Sequence, residues 1–214
     1  PFFCGQIEIH ATAYYLRCIK GKNQAGQVAG EDDRSLEHFW LPVKRKWRLY
    51  GESFWNRNRW GDKKVLIIHP GSGGQHKRWM SKGFEKAAKW WANEPDQEVL
   101  ILLGPAEEGE KEHWSHFGQV EVSLDIAQVV SILRLAQCYL GNDSGISHLA
   151  GVTNLKGVVI FGPTSPEQWR PIGGRLINIK NRAYRAMEAE KPGISIEEVD
   201  PKCVLEALRR FRDR

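Results

Sequence analysis

Asn142, Asp143, Ser144, Gly145 and His148 follow one another within a single short segment, and their types and order suit the handling of an anion. The segment Leu140 to Ala150 runs off a short apolar strand (Cys138, Tyr139, Leu140), turns through small polar residues and enters a helix. In a parallel α/β sheet, the carboxyl end of a strand facing a helix N-terminus is where anionic ligands sit. Free backbone N–H groups point outward there, and the helix dipole adds partial positive charge. Ser144 has the side chain of a helix cap. Asp143, beside the positive helix end, would repel a phosphate directly, so it suits sugar hydroxyls or the stiffening of the turn. His148 lies four residues after Ser144 and shares its helix face. It is either a packed core histidine or a side chain turned to the same edge.

Three further loops carry polar residues at strand ends. Gly71, Ser72, Gly73 and Gly74 either wrap phosphate oxygens through backbone N–H groups or form a plain strand-to-helix turn. The third glycine of a dinucleotide fingerprint would fall at His76, and no Gly-Lys-Ser/Thr follows, so neither common phosphate loop is present. Lys77 and Arg78 carry the charge to neutralise a diphosphate, with one of the two expected to be structural. Glu107 and Glu108 follow Gly104 and Pro105. A carboxylate there either accepts ribose hydroxyls or favours the start of a helix. Thr164 lies on a fourth loop, residues 162–166. No cluster of His, Cys, Asp or Glu has the spacing of a metal site and no Ser-His-Asp arrangement is identifiable, so neither a metal nor a cofactor is expected.

These loops need a sheet to align them, and the pattern supplies one. Residues 65–68, 99–103, 138–140 and 158–161 are short runs apolar on both faces, with shorter signals at Val120, Val122 and Leu176 to Ile179. Helical spacing separates them: Phe84, Ala87, Ala88 and Trp91 after Ser81, a possible cap; a polar helix near Glu107 to His116; Ile126, Val129, Val130 and Leu133; and a closing helix from Pro201 to Arg212 with Val204, Leu205, Leu208 and Phe211 inward. Alternating buried strands and helices predict an α/β fold with a Rossmann-like parallel sheet. Residues 61–214 form that domain. Residues 1–60 hold one helix pattern, from about Ala11 to Lys20, a Gly/Asp-rich loop and a Trp-rich stretch, and read as the tail of another domain plus a linker.

Composition bounds the partners. The chain has 214 residues, 41% hydrophobic and 27% charged, with a formal charge of +5. That balance is ordinary for a globular protein and either keeps it soluble or favours acidic partners such as nucleoside diphosphates or phosphorylated glycolipid. Nucleic acid is suggested only by the charge and nine tryptophans. Trp79, Trp90 and Trp91 fall in or beside a helical pattern and read as packed, so nucleic acid is not expected. The basic runs Lys44 to Arg48 and Arg209 to Arg214 read as solvated faces. Cys138 and Cys203 sit in apolar patterns as reduced core residues, which fits a cytoplasmic protein. No apolar run reaches the length of a membrane span.

The ordered set His69 to Gly73, Lys77-Arg78-Trp79, Leu103 to Glu108, Gly141 to Ala150 and Phe161 to Pro166 resembles glycosyltransferase family 9, the ADP-heptose:lipopolysaccharide heptosyltransferases. The Asn-Asp-Ser-Gly-x-x-His segment is its most specific part, and the match covers about residues 65–171. Departures occur at Met80, Ser165 and Gly151 to Lys156. The resemblance implies the C-terminal half of a GT-B glycosyltransferase, two Rossmann-like domains with the active site in the cleft between them. It implies a nucleotide-sugar donor, ADP-heptose first among them, bound on this half. It also implies a lipopolysaccharide-core or related glycan acceptor, inversion without a metal, and work at the cytoplasmic face of the inner membrane, with peripheral contact at most. By match to the motif, Ser72, Gly73, Lys77, Glu108, Asn142, Asp143, Ser144, Gly145, His148 and Thr164 would line the donor site. The general base is expected on the other domain. A non-catalytic nucleotide-sugar-binding module that needs a partner chain is the alternative.

Overall fold

The structure, a computed structural model, describes residues 43–173, 175–180 and 199–212. The helix and loop expected before residue 43 lie outside the described residues. Six strands form one parallel sheet: β1 (Lys64–His69), β2 (Gln97–Leu103), β3 (Gln119–Val122), β4 (Cys138–Asn142), β5 (Lys156–Phe161) and β6 (Arg175–Lys180), in the order β3-β2-β1-β4-β5-β6. β1 pairs on one side with β2 (Ile67 opposite Leu100) and on the other with β4 (Ile67 opposite Tyr139). The α/β, Rossmann-like expectation is therefore met, including the weakly signalled edge strands β3 and β6.

Successive side chains of a strand point to opposite faces, and a strand covered on both sides must be apolar throughout. Leu66 and Ile68 face a layer built from α2 (Ser81–Trp91), α3 (Lys111–Ser115) and α7 (Pro201–Arg212), where Phe84, Trp91, Trp114, Val204 and Leu208 are buried. Val65 and Ile67 face the other layer, with Val129, Ile132 and Leu133 of α4 (Ile126–Leu133) and Ala150 of α5 (Gly145–Val152). That second layer also holds α1 (Arg45–Arg57), drawn from the stretch read as linker. Phe54, Trp55 and Trp60 are buried in it, with the Trp55 and Trp60 rings edge-on at 4.8 Å. The short helix α6 (Pro166–Trp169) follows β5.

Three details differ from expectation. Ser81 is the first residue of α2 rather than its cap; Met80 holds the cap position, and the first turn is closed by Gly83 N–H donating to Met80 O at 2.9 Å. Cys203 is exposed on α7, because Val204, Ala207 and Leu208 form the inward stripe and 203 falls outside it, whereas Cys138 is fully buried in β4. The polar helix near residue 107 is a 3-10 turn, Pro105–Glu110, followed by α3. The cap expected at Ser144 is present, and Asp125 with Gln128 adds a full capping box at α4.

Candidate functional site

Strand order reverses between β1 and β4, so the loops leaving these neighbours part company and open a crevice above their carboxyl ends. Ligands of open parallel sheets sit in that position. Asn142 closes β4 and is fully buried. Its Nδ2 donates to Pro70 O at 2.8 Å and Gly71 O at 3.4 Å, and its Oδ1 accepts from Trp79 N–H at 3.0 Å. Both ends of the amide are thus spent across the crevice, and Asn142 serves the site by pinning the loop of residues 70–79 against β4.

Asp143 gathers the other loops. Its carbonyl accepts from Ser72 Oγ at 2.9 Å; its Oδ2 accepts from Thr164 Oγ1 at 2.6 Å and lies 3.4 Å from Lys77 Nζ. Side chains from the ends of β1, β4 and β5 therefore converge on one carboxylate. The Asp143 side chain is 10% exposed and that of Lys77 30%, so the ammonium stands at the rim. A carboxylate so engaged orients Lys77 and offsets part of its charge, leaving a site in which an incoming anion meets a held cation.

Lys77 and Arg78 have separate tasks, as expected of the pair. Arg78 turns away to form an ion pair with Glu107 and lies 3.5 Å from Glu110 Oε1. Glu107 is buried and also accepts from Gly104 N–H at 3.1 Å. A Cβ on Gly71 would stand 2.7 Å from the Glu107 carboxyl carbon, so glycine is needed there for close approach. This contact joins the loop after β1 to the loop after β2. Of the two acids, Glu107 is structural, and Glu108 is exposed on the same turn.

Gly73 and Gly145 are exposed, and nothing stands within 4 Å of where a Cβ would be. A ligand can therefore approach backbone at both. Ser144 caps α5, its Oγ accepting from Ser147 N–H at 3.4 Å, so the helix begins directly after Asp143 and its cap. Gly73 lies on the loop after β1, Glu108 on the turn after β2, and Gly145 and His148 on α5, which follows β4. His148 is half-buried one turn into α5. Among the described residues, no group of three His, Cys, Asp or Glu side chains is arranged to hold a metal ion.

Two buried residues escaped the sequence reading. Ser147 donates from Oγ to Asn142 O at 2.6 Å, and Tyr139 OH lies 2.9 Å from the Ser147 Oγ. Only the spacing of Ser144 and Ser147 hinted at the first; a phenol inside an apolar strand gave no signal. Burial raises the Tyr139 phenol above its ordinary value, against smaller opposing effects of Ser147 and Ser144, and keeps it neutral. His69, at the end of β1, is also held neutral: burial lowers its pKa, and its Nδ1 faces Leu102 O at 2.8 Å.

A parallel sheet with this strand order, with Lys77 and the start of α5 beside its switch point, defines a Rossmann-like α/β domain. The family described as "Glycosyltransferase family 9 (heptosyltransferase)" matches residues 25–197, and the chain belongs to it. It is 28% identical over 152 residues to lipopolysaccharide heptosyltransferase 2 of Escherichia coli K12, covering 63% of this chain and 42% of that protein. The crystal structure of a family 9 glycosyl transferase from Veillonella parvula superposes with a TM-score of 0.78 at 15% identity, over 97% of this chain and 61% of that one. The structure of E. coli ADP-heptose lps heptosyltransferase II gives 0.65 at 19% identity, over 81% and 53%. At those identities the superpositions speak for the fold. The chain spans about half the length of these proteins.

Proposed function

We propose that this chain is the donor-binding half of an inverting glycosyltransferase of the GT-B type, which moves a sugar from a nucleoside diphosphate, ADP-heptose for preference, to a lipopolysaccharide-core or related glycan. Residues 61–214, together with α1 packed on their sheet, would form the C-terminal domain, and the residues before α1 the end of the acceptor domain with its linker. The observation that carries the reading is the convergence of Ser72, Lys77, Asp143 and Thr164 at the crevice where the strand order reverses.

The chemistry follows from charge. As the glycosidic bond breaks, negative charge builds on the departing diphosphate. Fixed donors aimed at that charge stabilise the transition state more than the ground state. Lys77 would meet the diphosphate as a point charge, and the free amides at Gly145 and Ile146 would meet it with the positive end of α5. Gly73 would let the loop backbone come close, and Glu108 would take the ribose hydroxyls. Asp143, held by Thr164, would orient Lys77, and His148 would flank the phosphates. No step in this scheme draws on a metal; the charge is met by side chain and amides. The base that deprotonates the acceptor hydroxyl would come from the other domain, and contact with the cytoplasmic face of the inner membrane would be peripheral. Among the described residues no helix is long and apolar enough to cross a membrane.

Calorimetric titration of the chain with ADP, UDP and GDP tests the reading. ADP is expected to bind in preference, and Lys77→Ala is expected to weaken it roughly tenfold, the loss of about one charge-assisted contact. Equal binding of all three, or of ADP by wild type and Lys77→Ala alike, would contradict it.

A further inference from the structure

We infer that Tyr139, a residue wholly inside the sheet, is a positioning residue for the donor site, acting through the hydroxyl of Ser147. The inference rests on the donor-site reading above for its consequence in binding, but not for its structural content.

The hydrogen-bond arithmetic fixes the direction of the relay. Ser147 Oγ has one proton, and its shortest contact, 2.6 Å, is to the carbonyl of Asn142, which can only accept. Tyr139 OH, 2.9 Å from the same Oγ, must therefore be the donor of that pair. Tyr139 and Ser147 are both fully buried, where an unmet hydroxyl is costly, so the relay has no water to replace it. Its far end is the backbone of Asn142, the residue whose amide pins the loop of residues 70–79. Ser147 also supplies the N–H that Ser144 caps. One phenol thus holds the end of β4 and the first turn of α5 in register, the two pieces of backbone between which Asp143 is suspended.

The strand is cut to admit it. Tyr139 and Gly141 point to the same face of β4, and a Cβ at 141 would lie 2.2 Å from the Tyr139 hydroxyl oxygen. Glycine at 141 is the space the phenol occupies. A phenylalanine at 139 would fill the same core volume without the hydroxyl, so packing alone does not explain the arrangement.

Two measurements on the full chain test this with Tyr139→Phe, Ser147→Ala and the double variant. The first is amide hydrogen exchange without nucleotide. Exchange over residues 142–148 is expected to quicken about fivefold or more in Tyr139→Phe, the worth of one buried hydrogen bond, while β1 and β2 exchange as in wild type. Unchanged exchange over 142–148 would overturn the inference whether or not ADP binds. The second is ADP affinity at a temperature where every variant is folded. Tyr139→Phe is expected to bind about fivefold more weakly, with the double variant no weaker than Ser147→Ala, because the two groups act as one unit. Wild-type ADP binding matched by Tyr139→Phe, or additive losses in the double variant, would reduce Tyr139 to a packing residue. An altered exchange pattern with no ADP binding by wild type would leave the relay standing and count against the donor-site reading alone.

Discussion

At the scale of single residues, the site is ordered by buried polar groups that each have one task. Asn142 spends its whole amide on the neighbouring loop, Glu107 neutralises Arg78, and Asp143 collects Ser72, Thr164 and Lys77. His69 shows how such burial becomes a pH dependence. Burial lowers its pKa below the ordinary value, with Leu102 O and Glu107 acting the other way and Arg78 adding to the lowering. The folded protein therefore keeps the ring neutral while the unfolded chain takes up a proton as pH falls through about 6.5. The unfolded state then binds more protons at this residue, so the His69 contribution to stability falls as pH drops from about 7.5 to 5.5. Urea denaturation across that range should show a slope that His69→Gln flattens, by up to about 1.4 kcal/mol per pH unit. Equal slopes for the two proteins would show that His69 titrates alike in both states.

At the scale of elements, what was legible and what was not have physical causes. Buried parallel strands are apolar on both faces, so β1, β2, β4 and β5 stand out in the sequence as uninterrupted runs. α2 and α4 showed their inward stripes. α1 did not, although Trp47, Tyr50, Gly51, Phe54 and Trp55 keep helical spacing, because lysines and arginines dilute the stripe and no cap marks its start. Its packing depends on a glycine. A Cβ at Gly51 would lie 2.7 Å from the backbone oxygen of Ser131 in α4. Replacing glycine by alanine inside a helix gains up to about 1 kcal/mol of propensity, while forcing two backbones apart costs about 1–3 kcal/mol. The clash is with a carbonyl that cannot turn aside, so Gly51→Ala should lower the melting temperature; a rise would mean that α1 does not seat against α4 as described. The loops that carry the site were found by composition. Their mutual bonds, such as Arg78 with Glu107, join residues far apart in sequence, and no local pattern records them.

At the scale of the molecule, the sheet gathers four loops at one edge, and the chain spans about half the length of its relatives. The Rossmann-like class and the residues that converge on Asp143 were readable in advance, because strand ends in a parallel sheet fall on a common edge. The chain's exposed apolar side chains include Leu49 on α1 and Ile126 at the start of α4, whereas Trp55 belongs to the core. The central claim is that this edge holds the diphosphate of a nucleotide sugar. A crystal structure of the chain with ADP tests it most directly. The account predicts phosphate oxygens within hydrogen-bonding reach of Lys77 Nζ and the amides at the start of α5, with the ribose toward Glu108. ADP bound elsewhere, with Lys77 still turned to Asp143 and the crevice empty, would contradict it.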